Sequence, residues 1–158
     1  MAGSSAVQAS AGILLYRRLP ALEIYIAHMG GPFWARKDAA AWSIPKGLYL
    51  PDEPPLAAAI REFTEEIGAP PPDVDYELLG AFRQSSGKVV TVFAAETNFA
   101  VETVTSNTFS LEWPPRSGRM QDFPEIDRAG WFPLEAAREK LVKGQLPMLD
   151  ALIRRLEP

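Results

Sequence analysis

Arg61, Glu62, Glu65 and Glu66 crowd one short stretch of the chain, and Glu53 stands just upstream of them. On a helix of about 3.6 residues per turn, Glu62, Glu65 and Glu66 fall at i, i+3 and i+4 and form one acidic stripe. Like charges at these spacings destabilise a helix by about 0.2 to 0.5 kcal/mol per pair unless something neutralises them. A divalent cation does so. The chain has no cysteine, so the ligands of such an ion are limited to carboxylates, carbonyls and the lone His28, a donor set suited to a hard cation such as magnesium. Arg61, four residues before Glu65, can pair with one carboxylate and fix its rotamer while the others face the ion. Glu53 can add an oxygen or hold a metal-bound water. The plain alternative is a solvated acidic helix face.

A helix over Pro54 to Ile67 is predicted to align these groups. Leu56, Ala59, Ile60, Phe63 and Ile67 recur at spacings of three and four, so this stripe is expected to face the core, with the carboxylates opposite and exposed. Asp52 or Glu53 is expected to cap its start, the prolines suit its first turn and Gly68 suits its end. Upstream, Ser10 to Tyr16 and Leu22 to His28 read as two strands joined through Arg17 to Ala21. Gly30 to Ala41 is too long for a mere connection and is a candidate for ligand contact. Trp42-Ser43-Ile44 then leads to a turn at Pro45-Lys46-Gly47. Downstream, Tyr76 to Arg83 and Lys88 to Glu96 read as a second hairpin about Ser85-Ser86-Gly87, and Thr108 to Trp113 and Gly130 to Phe132 as short strands. Leu134 to Val142 and Pro147 to Leu156 read as helices. This mixture predicts an α/β (α+β) layered domain.

The whole chain, 1–158, is expected to be a single domain, since 158 residues with 47% hydrophobic and 23% charged content suit one core. Sixteen Lys and Arg against twenty Asp and Glu leave a net charge of −4, so no specific nucleic-acid binding is expected. The apolar stretch Ala11 to Tyr16 is far short of the roughly 18 to 20 residues of a membrane span, and Met1 to Gln8 holds no basic lead into one. No membrane association and a cytoplasmic location are therefore expected.

Gly47, five residues, Glu53, seven residues, then Arg61-Glu62-Phe63-Thr64-Glu65-Glu66-Ile67-Gly68-Ala69 resembles the Nudix box in every fixed position. Trp42 to Gly47 is similar to the strand that enters the box in Nudix hydrolases, and Glu125-Ile126-Asp127 with Trp131 to Glu135 to their closing strand and helix. The resemblance implies an αβα sandwich with a mixed β-sheet. It also implies hydrolysis of a pyrophosphate bond in a nucleoside diphosphate linked to another group X, with Mg2+ or Mn2+. Carried over residue by residue, it makes Glu62, Glu65 and Glu66 metal ligands, the Gly47 carbonyl a further one, Glu53 a carboxylate just outside them and Arg61 the orienting partner. Members differ in whether the general base is a box glutamate or one from a later loop. Glu65 is the first candidate here, and Glu112 and Glu125, in or beside the irregular segment Leu111 to Arg128, are the loop candidates.

Phosphate-clamping cations are available at Arg36, Lys37, Lys46, Lys88, Arg116 and Arg119. Phe33, Trp34 and Trp113 can stack a nucleobase, and His28 reads as structural. Subfamilies that cleave ADP-ribose or diadenosine polyphosphates carry a proline or tyrosine about fifteen to seventeen residues after the box, where this chain has Gln84, Ser85 and Ser86. Gly31 to Asp38 together with Glu112 to Arg119 is similar to a bacterial branch described as predicted NTP pyrophosphohydrolases. A small-molecule nucleotide, either an NTP or a dinucleoside polyphosphate, is the expected partner, with a homodimer left open. The reading from another class is a non-catalytic Nudix-fold module that binds a nucleotide as a sensor.

Overall fold

β1 (Ala9–Arg18) is the strand about which the sheet is organised. Its run of small and aliphatic residues is buried on both faces, as a strand covered from two sides must be. β2 (Leu22–Met29) returns antiparallel to it from Arg18↔Leu22 to Tyr16↔Ile24, the expected hairpin. Beyond that point the two strands part. β3 (Trp42–Ser43) pairs with β2, and β4 (Lys46–Leu48) pairs with β1 from Gly12↔Lys46 to Ser10↔Leu48. The predicted turn at Pro45-Lys46-Gly47 is thus a bend at Pro45 followed by a strand. Gly12 permits it: a Cβ there would lie 2.9 Å from both Lys46 Cβ and the Pro45 carbonyl.

The computed structural model describes residues 9–18, 20–84, 86–100 and 103–157; Met1 to Gln8, and Leu19 and Ser85 in the two expected hairpin turns, lie outside them. After α1 (Pro55–Ile67), β5 (Glu77–Arg83) and β6 (Val89–Glu96) form the second hairpin, with β6 parallel to β1 from Ala9↔Val89 to Tyr16↔Glu96. β9 (Ile126–Pro133) closes the other side, antiparallel to β2, and completes a mixed seven-stranded sheet. Ala58, Ala59, Phe63 and Ile67 of α1 cover one face through Ala11, Ile13, Leu15, Tyr25 and Ala27. α2 (Leu134–Lys140) and α3 (Leu146–Leu156) cover the other face through Leu14, Ile24, Ile26, Val90 and Val92. The layers are αβα.

α1 departs from expectation at its start, where Pro54 takes the cap position without a side-chain hydrogen bond. Neither Asp52 nor Glu53 caps it, because the Glu53 carboxylate is bound to Arg61. Its end is as expected, with Gly68 left-handed at φ +91 and its amide donating to the Thr64 carbonyl. α2 stops short of Val142, whose N–H donates instead to the Trp42 carbonyl. Among the described residues no helix is long and apolar enough to cross a membrane.

The segment Leu111 to Arg128, expected to be irregular, is mostly a ribbon of β7 (Thr108–Glu112) and β8 (Met120–Pro124). β8 carries no alternating pattern because the ribbon is largely exposed on both sides. Its foot is tied down by backbone bonds: Thr105 N–H to the Ile67 carbonyl, Asn107 N–H to Glu65, and Glu125 N–H to Asn107. Gly30 N–H donates to the Glu125 carbonyl at 2.8 Å, and a Cβ on Gly30 would lie 2.1 Å from the Pro124 carbonyl oxygen.

Gln145 fastens α3 to the strand entering β4. Fully buried, it accepts the Ile44 N–H at 3.0 Å and donates to Ser43 Oγ at 2.8 Å. Gln145→Leu strands the Ile44 amide, so a loss of about 2 kcal/mol is expected. Thermal unfolding should register it as a melting point lower by roughly 5 °C.

Candidate active site

Glu62 and Glu66 are not on the exposed face of α1. The helix packs on the sheet through Ala58 and Ala59, which are fully buried with Phe63 and Ile67, while Leu56 and Ile60 are only half-buried on its shoulder. The physical reason is steric. Two alanines let the helix sit close against β1, and the stripe that packs is rotated away from the larger side chains toward the carboxylates. The Glu62 side chain is 15% exposed and Glu65 39% exposed.

Gly47 makes room for this arrangement. A Cβ built on it would lie 1.7 Å from Glu62 Oε1 and 2.1 Å from Glu62 Cδ, so the carboxylate occupies the space a side chain would need. The neighbouring Lys46 N–H donates to Glu66 Oε1 at 3.1 Å. Arg61 spans the rest: Nε and Nη2 hold the two Glu53 oxygens at 2.9 and 3.0 Å, and Nη1 reaches Glu62 at 3.2 Å and Glu65 at 3.4 Å. Nη2 also donates to the Leu48 carbonyl at 3.2 Å, a contact with no sequence signal.

Burial and crowding push these carboxyls up. Glu66 rises to about 8, chiefly through desolvation, with Lys46 opposing and the charges of Glu125 and Glu62 adding. Glu62 rises to about 7 through burial, Glu65 and Glu125, opposed by Arg61. Glu53 moves the other way because the Arg61 guanidinium binds its charged form. Glu125 is raised by partial burial and by Glu65. The two loop candidates for the base therefore separate: the foot of the β7–β8 ribbon brings Glu125 to the α1 carboxylates. Glu112 lies five residues up β7 from Asn107, about 17 Å at strand rise, with its carboxylate bound to the Gly118 N–H. It is not part of the cluster.

Among the described residues no group of three or more His, Asp or Glu side chains is placed to hold a metal ion as the chain stands. Arg61 lies among the carboxylates and satisfies them in part. The donor set nevertheless fits a hard divalent ion: it is all oxygen, and its buried members are destabilised by a charge that such an ion would offset.

The remaining candidates fall into two groups. Loop 30–34 runs up the ribbon, with Gly31 against Phe109 and the exposed Phe33 edge-to-face with Trp113 at 5.3 Å. Arg116 and Arg119 are exposed at the ribbon tip and Arg36 on the loop. Trp34 turns toward the α2/α3 core with Lys37 Nζ 5.3 Å above its ring, so it is a packing residue more than a free stacking surface. His28 is fully buried, with Nε2–H donating to the Lys37 carbonyl at 2.7 Å and Nδ1 2.8 Å from Asp127, the structural role expected. Lys46 stands on β4, its N–H on Glu66, and Lys88 immediately precedes β6. Burial lowers Lys46, Glu66 opposes this, and the charge of Lys88 adds to it.

The sequence profile of the NUDIX domain matches residues 8–152. The chain is 35% identical over 101 residues to the mRNA-decapping protein g5R of African swine fever virus (isolate Pig/Kenya/KEN-50/1950), covering 61% of this chain and 39% of that protein. It is 32% identical over 115 residues to a nucleoside triphosphate pyrophosphatase/Nudix hydrolase fusion protein of Bifidobacterium longum (strain NCC 2705), covering 67% of this chain and 23% of that one. The chain thus spans well under half the length of these curated relatives. Among solved structures, a C. elegans Ap4A hydrolase superposes with a TM-score of 0.67 at 21% identity, over 93% of this chain and 97% of that one. The NUDIX domain of Shewanella oneidensis NrtR complexed with ADP ribose gives 0.66 at 17% identity, over 98% and 91%. At these identities the likeness is one of fold.

Proposed function

The chain belongs to the NUDIX family, and from that premise we propose that it is a pyrophosphohydrolase dependent on Mg2+ or Mn2+. Its substrate is a nucleoside diphosphate linked to a further group, as in a nucleoside triphosphate or a dinucleoside polyphosphate. The observation that carries this reading is the Glu62 carboxylate packed over the side-chain-free Gly47, with Glu66 on the Lys46 N–H and Arg61 joining Glu53, Glu62 and Glu65. The curated relatives, a decapping protein and a nucleoside triphosphate pyrophosphatase/Nudix hydrolase fusion, support cleavage of a phosphoric anhydride.

Glu62, Glu65, Glu66 and the Gly47 carbonyl would hold the ion. When bound, it neutralises pyrophosphate oxygens and acidifies water. Glu65, less buried than Glu62, takes the proton from the attacking water at its carboxylate, with Glu125 the second candidate for that role. Arg61 keeps Glu53 and Glu65 in fixed rotamers. Phe33 and Trp113 offer apolar edges to a nucleobase, and Arg36, Lys37, Arg116 and Arg119 offer charge to phosphates. The reading takes residues 1–158 as one catalytic domain working in the cytoplasm on a small nucleotide.

A hydrolysis screen in magnesium tests it, using nucleoside triphosphates, dinucleoside polyphosphates, ADP-ribose and nucleotide sugars, with phosphate read after phosphatase coupling. Turnover abolished by EDTA and by Glu65→Gln is expected, together with a melting point raised by magnesium. Nucleotide binding with no turnover across the panel would replace the enzyme by a sensor, and no response to magnesium would remove both.

A further inference from the structure

β9 does not keep step with β2 along its whole length. The two strands pair regularly from Glu23↔Pro133 to His28↔Arg128, but the next pair is Met29↔Ile126, so Asp127 is one residue more than β2 can match. Such a bulge changes the face to which the following side chains point. Trp131 and Ala129 lie on the α1 side of the sheet, and plain alternation would carry Asp127 to that side and Ile126 to the other. The reverse is found. Ile126 is buried in the core under α1, and Asp127 turns to His28, which follows Ile24 and Ile26 on the α2/α3 side.

His28 is the only histidine in the chain. Its side chain is fully buried, edge-to-face with Trp42 at 5.2 Å, while the Asp127 side chain is 29% exposed. Nδ1 and Asp127 Oδ1 share a hydrogen bond of 2.8 Å, and Nε2–H donates to the Lys37 carbonyl at 2.7 Å. One ring thus ties the bulge to the loop that carries Phe33, Arg36 and Lys37. The bulge in turn sets the residue before Ile126. The Glu125 carbonyl accepts the Gly30 N–H at 2.8 Å, its N–H donates to the Asn107 carbonyl at 2.9 Å, and the Asn107 N–H donates to the Glu65 carbonyl at 2.9 Å. A slip of β9 by one residue would break the first of these bonds and turn Ile126 out of its core.

We propose that His28 and Asp127 are positioning residues, whose pairing locks the β9 bulge and so holds Glu125 at the foot of the ribbon beside α1. They act on the chemistry through Glu125 and on the loop through Lys37. This role rests on the reading of Glu125 as a carboxylate of the cleavage centre, and it adds what keeps that carboxylate in place.

Native-state amide exchange on the whole chain in EDTA tests the lock without catalysis. Asp127→Ala should speed exchange about tenfold at the Gly30 amide and at the Ile126 amide, which is bound to Ser106 Oγ at 3.1 Å, the loss of one charge-assisted hydrogen bond. Amides within the β1–β6 pairing should exchange as before. Asp127→Asn keeps an oxygen for the His28 ring and should restore slow exchange. Arg128→Gln removes an exposed charge 3.8 Å from Asp127 and should exchange as the wild type does.

In magnesium, with ATP or diadenosine tetraphosphate, Asp127→Ala should lower kcat tenfold to about a hundredfold with a smaller change in KM. Asp127→Asn should recover it. The loss should vanish when Glu125 is already replaced by glutamine, because a lock that acts through Glu125 then has nothing left to hold. A residue that only supports the fold would lower kcat alike in both backgrounds. Unchanged exchange at Gly30 and Ile126 in Asp127→Ala, faster exchange throughout the sheet, no recovery in Asp127→Asn, or an equal fall in kcat with and without Glu125 would each overturn the proposal. If Glu125→Gln alone turns over as the wild type does, the reading of Glu125 falls while amide exchange still decides the lock.

Discussion

Glu66→Gln should lower kcat by about a hundred- to a thousandfold and at the same time raise the stability of the metal-free protein. The two effects share one cause. Glu66 is largely buried, receives one backbone N–H from Lys46 at 3.1 Å and has its carboxyl pushed up to about 8. A glutamine keeps an oxygen for that N–H and removes the charge that burial penalises, but it cannot supply a charged ligand oxygen.

The sign of the pH dependence follows. A carboxyl raised from 4.5 to about 8 in the folded chain holds a proton in the folded state that the unfolded state has released between those values. Stability in EDTA therefore falls as pH rises through that window, by about 1.4 kcal/mol per unit at most. The glutamine variant lacks this contribution, so its advantage in melting point should widen from pH 5 to pH 8, reaching roughly 5 °C or more. Melting curves across pH in EDTA, beside turnover in magnesium, decide the matter. A gap that narrows with pH, or near-wild-type kcat, would show that Glu66 is not the buried ligand described.

Gly47→Ala should be strongly damaging to activity. Its Cβ would fall within 1.7 Å of Glu62 Oε1, far inside contact. β4 is pinned to β1 by three successive cross-strand partners, so Glu62 must give way. Displacement of a catalytic group by about 1 Å costs on the order of a hundredfold in rate, and a drop of at least that size in kcat/KM is expected. The magnesium-induced rise in melting point should shrink with it. Gly130→Ala is the steric contrast, since its Cβ would meet Phe132 only at an ordinary 3.6 Å. An active Gly47→Ala enzyme with an unchanged magnesium response would separate Gly47 from the site.

The elements legible in the chain were those whose signal is local. The two strands β1 and β2, the hairpin of β5 and β6, the body of α1 and its stop at Gly68 each follow from a periodic run or a turn residue. The spacing from Gly47 through Glu53 to Glu66 pointed to the family for the same reason, because every residue of the box lies on one contiguous stretch. Leu56 and Ile60 misled on the orientation of α1. Ala59, Phe63 and Ile67 of the expected stripe are fully buried, but the helix seats also on Ala58, which allows close approach, and leaves Leu56 and Ile60 on its shoulder. β4 and β8 escaped notice because three residues of one and the two exposed sides of the other leave too little pattern to read.

The linear chain supplies the inventory: which carboxylates, which arginine, and a glycine at the point where one is needed. Tertiary structure decided their company. It turned Glu62 and Glu66 inward, brought Glu125 and not Glu112 to them, and turned Trp34 to the core. Each of these depends on strand pairing or on packing between residues far apart in the chain. A cross-strand partner or a packed helix face is chosen by the shape of both surfaces together, and neither surface is written in the local run of residues that forms the other.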